Sequence, residues 1–157
     1  MSKKCPKIGV IDTVSNTKVG SVGQDFIEKL CNALSISCAF PLNKSNVRLK
    51  QSPWDIEING VKFELKTATE DVSGCFQFNH FRYHRQYDAV LCLGVTPSEL
   101  YFRMWSKADL TTGKAGTLVS MEKGANASYK LTKRPKDLMP IAEFGEKIKT
   151  FTTGWAF

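Results

Sequence analysis

Residues 53–66 read PWDIEINGVKFELK, and this stretch decides the fold class. Asn59-Gly60 is the dipeptide favoured by a two-residue type I′ turn, because both central positions require positive φ. On one arm Trp54, Ile56 and Ile58 alternate with Asp55 and Glu57; on the other Val61, Phe63 and Leu65 alternate with Lys62, Glu64 and Lys66. Such alternation predicts two antiparallel strands, each with an apolar face for the core and a charged face opposite. With Asn59 and Gly60 as the loop, Ile58 pairs with Val61, Glu57 with Lys62, Ile56 with Phe63 and Asp55 with Glu64. Directly opposed residues share a face with Cβ atoms about 5 Å apart. The register therefore sets two carboxylates beside each other, with Lys66 two residues further along the same face.

Working outward, GQDFIEKLCNAL (residues 23–34) places Phe26, Ile27, Leu30, Cys31 and Leu34 at helical spacing. Before it, residues 7–21 alternate loosely, with Ser15-Asn16 as a turn, and read as a short hairpin or an irregular arm. Between helix and hairpin, residues 41–52 are polar and turn-rich, a basic loop carrying Lys44, Arg48 and Lys50. Beyond the hairpin, residues 76–86 (FQFNHFRYHRQ) fit a helix, or a strand end leading into one. Residues 88–95 (DAVLCLGV) have the pattern of a buried strand, and residues 99–105 (ELYFRMW) that of another. Residues 111–130 read as a loop region with room for a short strand. Leu138, Ile141, Phe144, Ile148 and Phe151 predict a helix over residues 136–151. The sum is a mixed α/β fold, expected to occupy residues 1–157 as one domain.

Composition limits the function classes. A chain of 157 residues with 42% hydrophobic and 24% charged residues has the balance of a globular protein. The excess of 22 Lys and Arg over 15 Asp and Glu gives a formal charge of +7, which favours a polyanionic partner through counterion release. The five cysteines, Cys5, Cys31, Cys38, Cys75 and Cys92, are odd in number and show no metal-ligand spacing. They read as reduced residues of a cytoplasmic protein. No stretch approaches the ~18 apolar residues of a membrane span, and the basic N-terminus lacks the apolar run of a signal peptide.

The paired carboxylates carry the chemistry. Charged alternation on a hairpin is most often a solvated face, and Glu57 opposite Lys62 suits that reading. An Asp opposite a Glu does not, because unlike charges would stabilise the pair better. Two facing carboxylates repel, and one retains a proton unless a cation lies between them. Mg²⁺ accepts one or two carboxylates while leaving positions for phosphate and water. Lys66 beside them can orient a water and stabilise charge building on phosphorus. These are the parts that phosphodiester hydrolysis requires.

Asp55 after Ser52-Pro53-Trp54, followed by Glu64-Leu65-Lys66 on the next strand, resembles the PD-(D/E)XK nuclease superfamily. SPWD stands for the first half of its motif, with Trp54 separating Pro53 from Asp55, and ELK for the second. The resemblance covers roughly residues 20–105, including FQFNHFR and YDAVLCLGVTP, which look like stretches of type II restriction endonucleases. It implies a restriction-endonuclease-like core, a mixed central β-sheet flanked by helices. It further implies Asp55 and Glu64 as Mg²⁺ ligands with help from the Leu65 carbonyl, Lys66 serving the water, and Mn²⁺ able to substitute. The superfamily's helix acid maps onto Glu28, with Asp25 second.

The weaker signals concern binding. Gln77, Asn79 and Arg82, with His80 among them, are types that hold phosphates or read bases. Lys44, Arg48 and Lys50 lead into the Asp55 strand, and Lys130, Lys133, Arg134 and Lys136 form a second basic cluster. His80 and His84 lack the Glu and third ligand of a zinc site, and the TTGKAG stretch lacks the first glycine of a phosphate loop. Tyr83, Tyr87, Tyr101 and Trp105 read as packing residues. The expectation is a restriction-like endonuclease that cuts double-stranded DNA to leave 5′-phosphates, acting as a homodimer or as a subunit of a larger nuclease. The alternatives are a structure-selective junction resolvase or repair nuclease, and a non-catalytic DNA-binding module of the same fold.

Overall fold

The computed structural model describes residues 16–47 and 52–155. Helix α1 (Asn16–Ala33) leads to a two-residue strand β1 (Cys38–Ala39), and the Asn59-Gly60 hairpin follows as β2 (Ile56–Ile58) and β3 (Val61–Thr69). Asn59 and Gly60 have φ of 50° and 84°, as the two-residue turn demands. The register is the expected one through Ile58↔Val61, Glu57↔Lys62 and Ile56↔Phe63. The ladder ends there. Asp55 sits in a bend and donates its amide to the Phe63 carbonyl.

The bend also changes the phase of Trp54. Instead of joining Ile56 and Ile58, Trp54 packs in the cluster on the other side of the sheet, within 5.8 Å of the Lys62 ammonium.

After the hairpin come β4 (Phe76–Phe81), β5 (Ala89–Val95), β6 (Leu100–Ser106) and the short helix α2 (Lys107–Thr111). They are followed by β7 (Leu118–Glu122), β8 (Ser128–Lys133), β9 (Met139–Pro140) and helix α3 (Phe144–Thr153). The main sheet runs β1-β2-β3-β5-β6-β9, with β3 and β5 parallel and its other neighbours antiparallel; β4-β8-β7 form a second, antiparallel sheet. This is a mixed α/β fold built around a mixed central sheet.

Two apolar layers hold it. On one face of the main sheet, Ile27 and Cys31 of α1 and Phe144 and Ile148 of α3 pack against Phe63, Leu91 and Phe102. On the other face, Phe76, Phe78 and Phe81 of β4, Leu131 of β8 and Leu110 of α2 pack against Val90, Cys92 and Trp105. Because side chains alternate along a strand, Phe63, Leu65 and Thr67 of β3 face the helices while Glu64, Lys66 and Ala68 face the second sheet. A Cβ at Gly23 would lie 2.0 Å from Thr67 Oγ1, so only glycine lets α1 approach β3 this closely.

Several expectations change. Residues 76–86 form β4 and then a turn, with no helix following the strand. Helix α1 already runs from Asn16, so the arm expected over residues 7–21 is helical in its described part; residues 1–15 lie outside the described residues. Val19, Gly23, Ile27 and Cys31 recur every four residues and are all buried, a stripe that Gly20 and Gly23 conceal in the sequence. The region 111–130 contributes two paired strands rather than one short one, joined by a 3-10 turn at Gly124–Asn126. The last helix begins at Phe144 and not near residue 136, because Pro135 and Pro140 punctuate the approach, which is made of 3-10 turns and β9.

Candidate active site

Strand β2 reaches only to Ile56 while β3 continues to Thr69, so from Glu64 onward one edge of β3 has no strand beside it among the described residues. Asp55 fills the first position of that gap. Its Oδ2 accepts a hydrogen bond from the Leu65 amide at 2.8 Å, replacing the backbone acceptor that a longer β2 would have supplied. A strand residue directs its N–H and C=O to the same side, so the Leu65 carbonyl also points to this edge.

Glu64 lies beside Asp55 with its side chain 1% exposed, whereas Asp55 and Lys66 are 17% and 18% exposed. Glu64 Oε1 receives Arg85 Nη1 at 2.8 Å and lies 3.9 Å from Lys66 Nζ, while no donor among the described residues reaches the buried Glu64 Oε2. Burial first, and then the charge and hydrogen bonding of Asp55, push the Glu64 carboxyl up to about 8 against the opposing pull of Lys66 and Arg85. The pair thus resists carrying two negative charges. Tyr87 packs nearby, its hydroxyl also buried without a partner among the described residues; burial, then the Glu64 charge, raise it above the usual phenol range.

The residues fit a hard divalent cation. Asp55, Glu64 and the Leu65 carbonyl are oxygen ligands at one edge, and among the described residues no donor reaches the buried Glu64 Oε2. Lys66 shares the face of Glu64, its ammonium 5.8 Å from the Phe81 ring.

The helix acid does not join them. Glu28 is half-buried on α1, on the opposite face of the sheet, next to Cys38, whose thiol is raised by burial and also by the Glu28 charge. Cys38 pairs with Ile58 at the turn end of the hairpin, away from Glu64. Asp25 is exposed on the same helix. Among the described residues no group of three or more His, Cys, Asp and Glu side chains gathers as a metal site. Two carboxylates are present here, not three.

Arg85 is the residue that sequence reasoning missed. It lies in the loop between β4 and β5, and the parallel pairing Phe63↔Ala89 and Glu64↔Val90 brings the start of β5 level with Glu64. Besides Glu64, its Nη2 donates to the Ser52 carbonyl and lies 4.0 Å from Asp55 Oδ1. The only local signal is a basic RYHR run just ahead of an apolar strand, which says nothing of where that strand pairs.

A cleft of about 470 Å³ continues from the site along the open edge of β3, lined by Val19 and Gly20 of α1, Lys66, Gln77, Asn79 and His80 among others. Gln77 has both ends of its amide engaged, donating to Asp71 Oδ2 at 3.0 Å and accepting from Thr132 Oγ1 at 2.7 Å. Asn79 is exposed. A register shift between Phe78 and Phe81 turns His80 out with φ of 62°, so Phe81 takes the buried position that strict alternation assigns to His80. His80 Nδ1 then meets Glu122 Oε1 at 2.9 Å, and Arg82 binds the same oxygen at 3.2 Å. Lys133 lies 5.1 Å from the Trp105 ring, Arg134 and Lys44 are exposed, and Arg48 and Lys50 lie outside the described residues.

The mixed sheet thus carries α1 and α3 on one face, the second sheet with α2 on the other, and a pair of carboxylates at a strand edge. In fold the chain is similar to the solved structure of a bacterial homing endonuclease, I-Ssp6803I, at 11% sequence identity and a TM-score of 0.51, covering 91% of this chain and 100% of that one. No family model matches the sequence, and no curated protein matches it. No helix among the described residues is long and apolar enough to cross a membrane.

Proposed function

We propose that the chain is a Mg²⁺-dependent endonuclease acting on double-stranded DNA and leaving 5′-phosphate ends. One observation carries the reading: Asp55, Glu64 and Lys66 converge at an open strand edge where, among the described residues, no donor reaches the buried Glu64 Oε2. Solvated carboxylates would not be held this way, and a module that only binds DNA gains nothing from opposed negative charges near phosphate. The fold likeness to an endonuclease supports the same class.

In this reading Asp55, Glu64 and the Leu65 carbonyl hold the ion. When bound, Mg²⁺ supplies charge stabilisation to the phosphate and lowers the pKa of nearby water. Lys66 orients the attacking water and donates to the oxygen on which charge accumulates. The net charge of +7 draws the polyanion to the site. A second copy, or a larger assembly, would complete a double-strand cut, since the Asp55–Glu64 centre acts on one strand at a time.

The test is incubation of purified protein with mixed plasmid and branched DNA in Mg²⁺ or Mn²⁺, followed by sequencing of the product ends. Cleavage of linear duplex with 5′-phosphates, lost on Asp55→Ala and Lys66→Ala, supports the reading. Cutting confined to branched DNA assigns the chain to the structure-selective nucleases instead, and no cleavage with any divalent cation refutes it.

A further inference from the structure

We infer that Arg85 is the resident counter-ion of the carboxylate pair, displaced from Glu64 when a divalent cation binds and then free to grip the scissile phosphate. The inference rests on the nuclease reading above and adds to it a residue outside the Asp, Glu and Lys set.

The geometry is that of a cation serving both acids at once. Nη1 lies 2.8 Å from Glu64 Oε1, Nη2 lies 4.0 Å from Asp55 Oδ1, and Nη2 also donates to the Ser52 carbonyl. A planar guanidinium suits this forked contact and, equally, the oxygens of a phosphate. A divalent ion held by Asp55 and Glu64 would stand within a few ångströms of the same guanidinium, and like charges so close in a partly buried site repel strongly. One of them must leave.

The surroundings decide which part moves. The Arg85 backbone is anchored, because Lys107 Nζ donates to its carbonyl while lying 4.5 Å from the Tyr87 ring. The side chain is 24% exposed and so has a route outward, whereas Glu64 at 1% has none. Displacement therefore swings the guanidinium about a fixed Cα into the space over the open edge of β3, where the phosphate of a bound strand would lie. Lys66, 3.9 Å from the same oxygen, makes the looser contact.

Competition predicts a measurable linkage between arginine and metal. Calorimetric titration of the full chain with Mn²⁺, without DNA, should give about tenfold tighter binding for Arg85→Ala than for the parent, with Arg85→Lys between them. Cleavage by Arg85→Ala at saturating Mn²⁺ should nevertheless fall. A folded Arg85→Ala that binds Mn²⁺ no more tightly than a parent that binds and cuts overturns the inference and leaves the nuclease reading standing. A parent that binds no Mn²⁺ overturns both. The parent also supplies a readout that needs no variant: the Arg85 side-chain nitrogen resonances should shift on addition of Mg²⁺, and resonances unchanged while Asp55 responds would refute displacement.

Discussion

The carboxylate of Asp55 accepts the Leu65 amide at 2.8 Å, so a side chain completes the hydrogen bonding of β3 where the neighbouring strand has ended. One group thus serves structure and, in the proposed chemistry, metal binding. The two roles separate by substitution. Asp55→Asn keeps an oxygen acceptor and should melt like the parent, yet lose cleavage by about a hundredfold or more, the size of several kcal/mol of charge stabilisation. Asp55→Ala should lose the same activity and, in addition, about 1 kcal/mol of stability from the unpaired amide. Thermal melts beside plasmid nicking check both; an Asp55→Asn protein that cuts normally would remove Asp55 from the site.

Lys66 should behave differently from the acids. It shares their face but offers no ligand to a cation, so Lys66→Ala should retain Mn²⁺ binding while cleavage collapses. Calorimetry paired with single-turnover kinetics distinguishes this from Asp55→Ala, which should lose both. Loss of Mn²⁺ affinity in Lys66→Ala would mean that the lysine organises the carboxylates and does not serve the water.

The raised carboxyl of Glu64 sets a pH dependence of known sign. Folding lifts it from an ordinary value of 4.5 to about 8, with burial the main cause and Asp55 the next. Between these values the folded state binds more protons than the unfolded one, so this group's effect on stability worsens as pH rises through that window. The metal-free protein should melt at a lower temperature at about pH 8 than at about pH 5, and Glu64→Gln should flatten that slope. Mg²⁺ binding at neutral pH should release protons, seen as a buffer-dependent enthalpy. An unchanged slope in Glu64→Gln would place the titration elsewhere.

The contact between α1 and β3 gives a prediction opposite to helix propensity. Alanine is favoured over glycine inside a helix by up to about 1 kcal/mol. At Gly23, however, a Cβ would lie 2.0 Å from Thr67 Oγ1. Gly23→Ala should therefore destabilise by about 1–3 kcal/mol, the cost of overpacking, and Thr67→Ala in the same chain should recover part of it. Urea unfolding midpoints measure both, and a stabilised Gly23→Ala would show that the helix can move away without loss.

Most of the candidate site was legible in the sequence because it is local. Asp55, Glu64 and Lys66 lie within one hairpin, and a two-residue turn between alternating arms allows a single register. The prediction of Asp55 directly across from Glu64 was close: the ladder ends one pair earlier, and a bend carries the carboxylate to the Leu65 amide instead. Glu28 is what the superfamily resemblance implies as the helix acid, and helical spacing orders residues around a helix without saying which face of the sheet that helix covers. For His80, alternation was the wrong rule, because a bulge inserts one residue and sends Phe81 inward in its place.

What the sequence by itself determined, then, is the hairpin, its register up to Ile56↔Phe63, and the common face of Glu64 and Lys66. Turn chemistry and side-chain alternation act over a few residues and need no distant partner. Only the tertiary structure decided that β5 lies parallel to β3, that Arg85 reaches Glu64 across 21 residues, and that α1 carries Glu28 to the other face. Those outcomes depend on which strands pair and how the layers stack, and burial of apolar surface over the whole chain selects among the possibilities that local pattern leaves open.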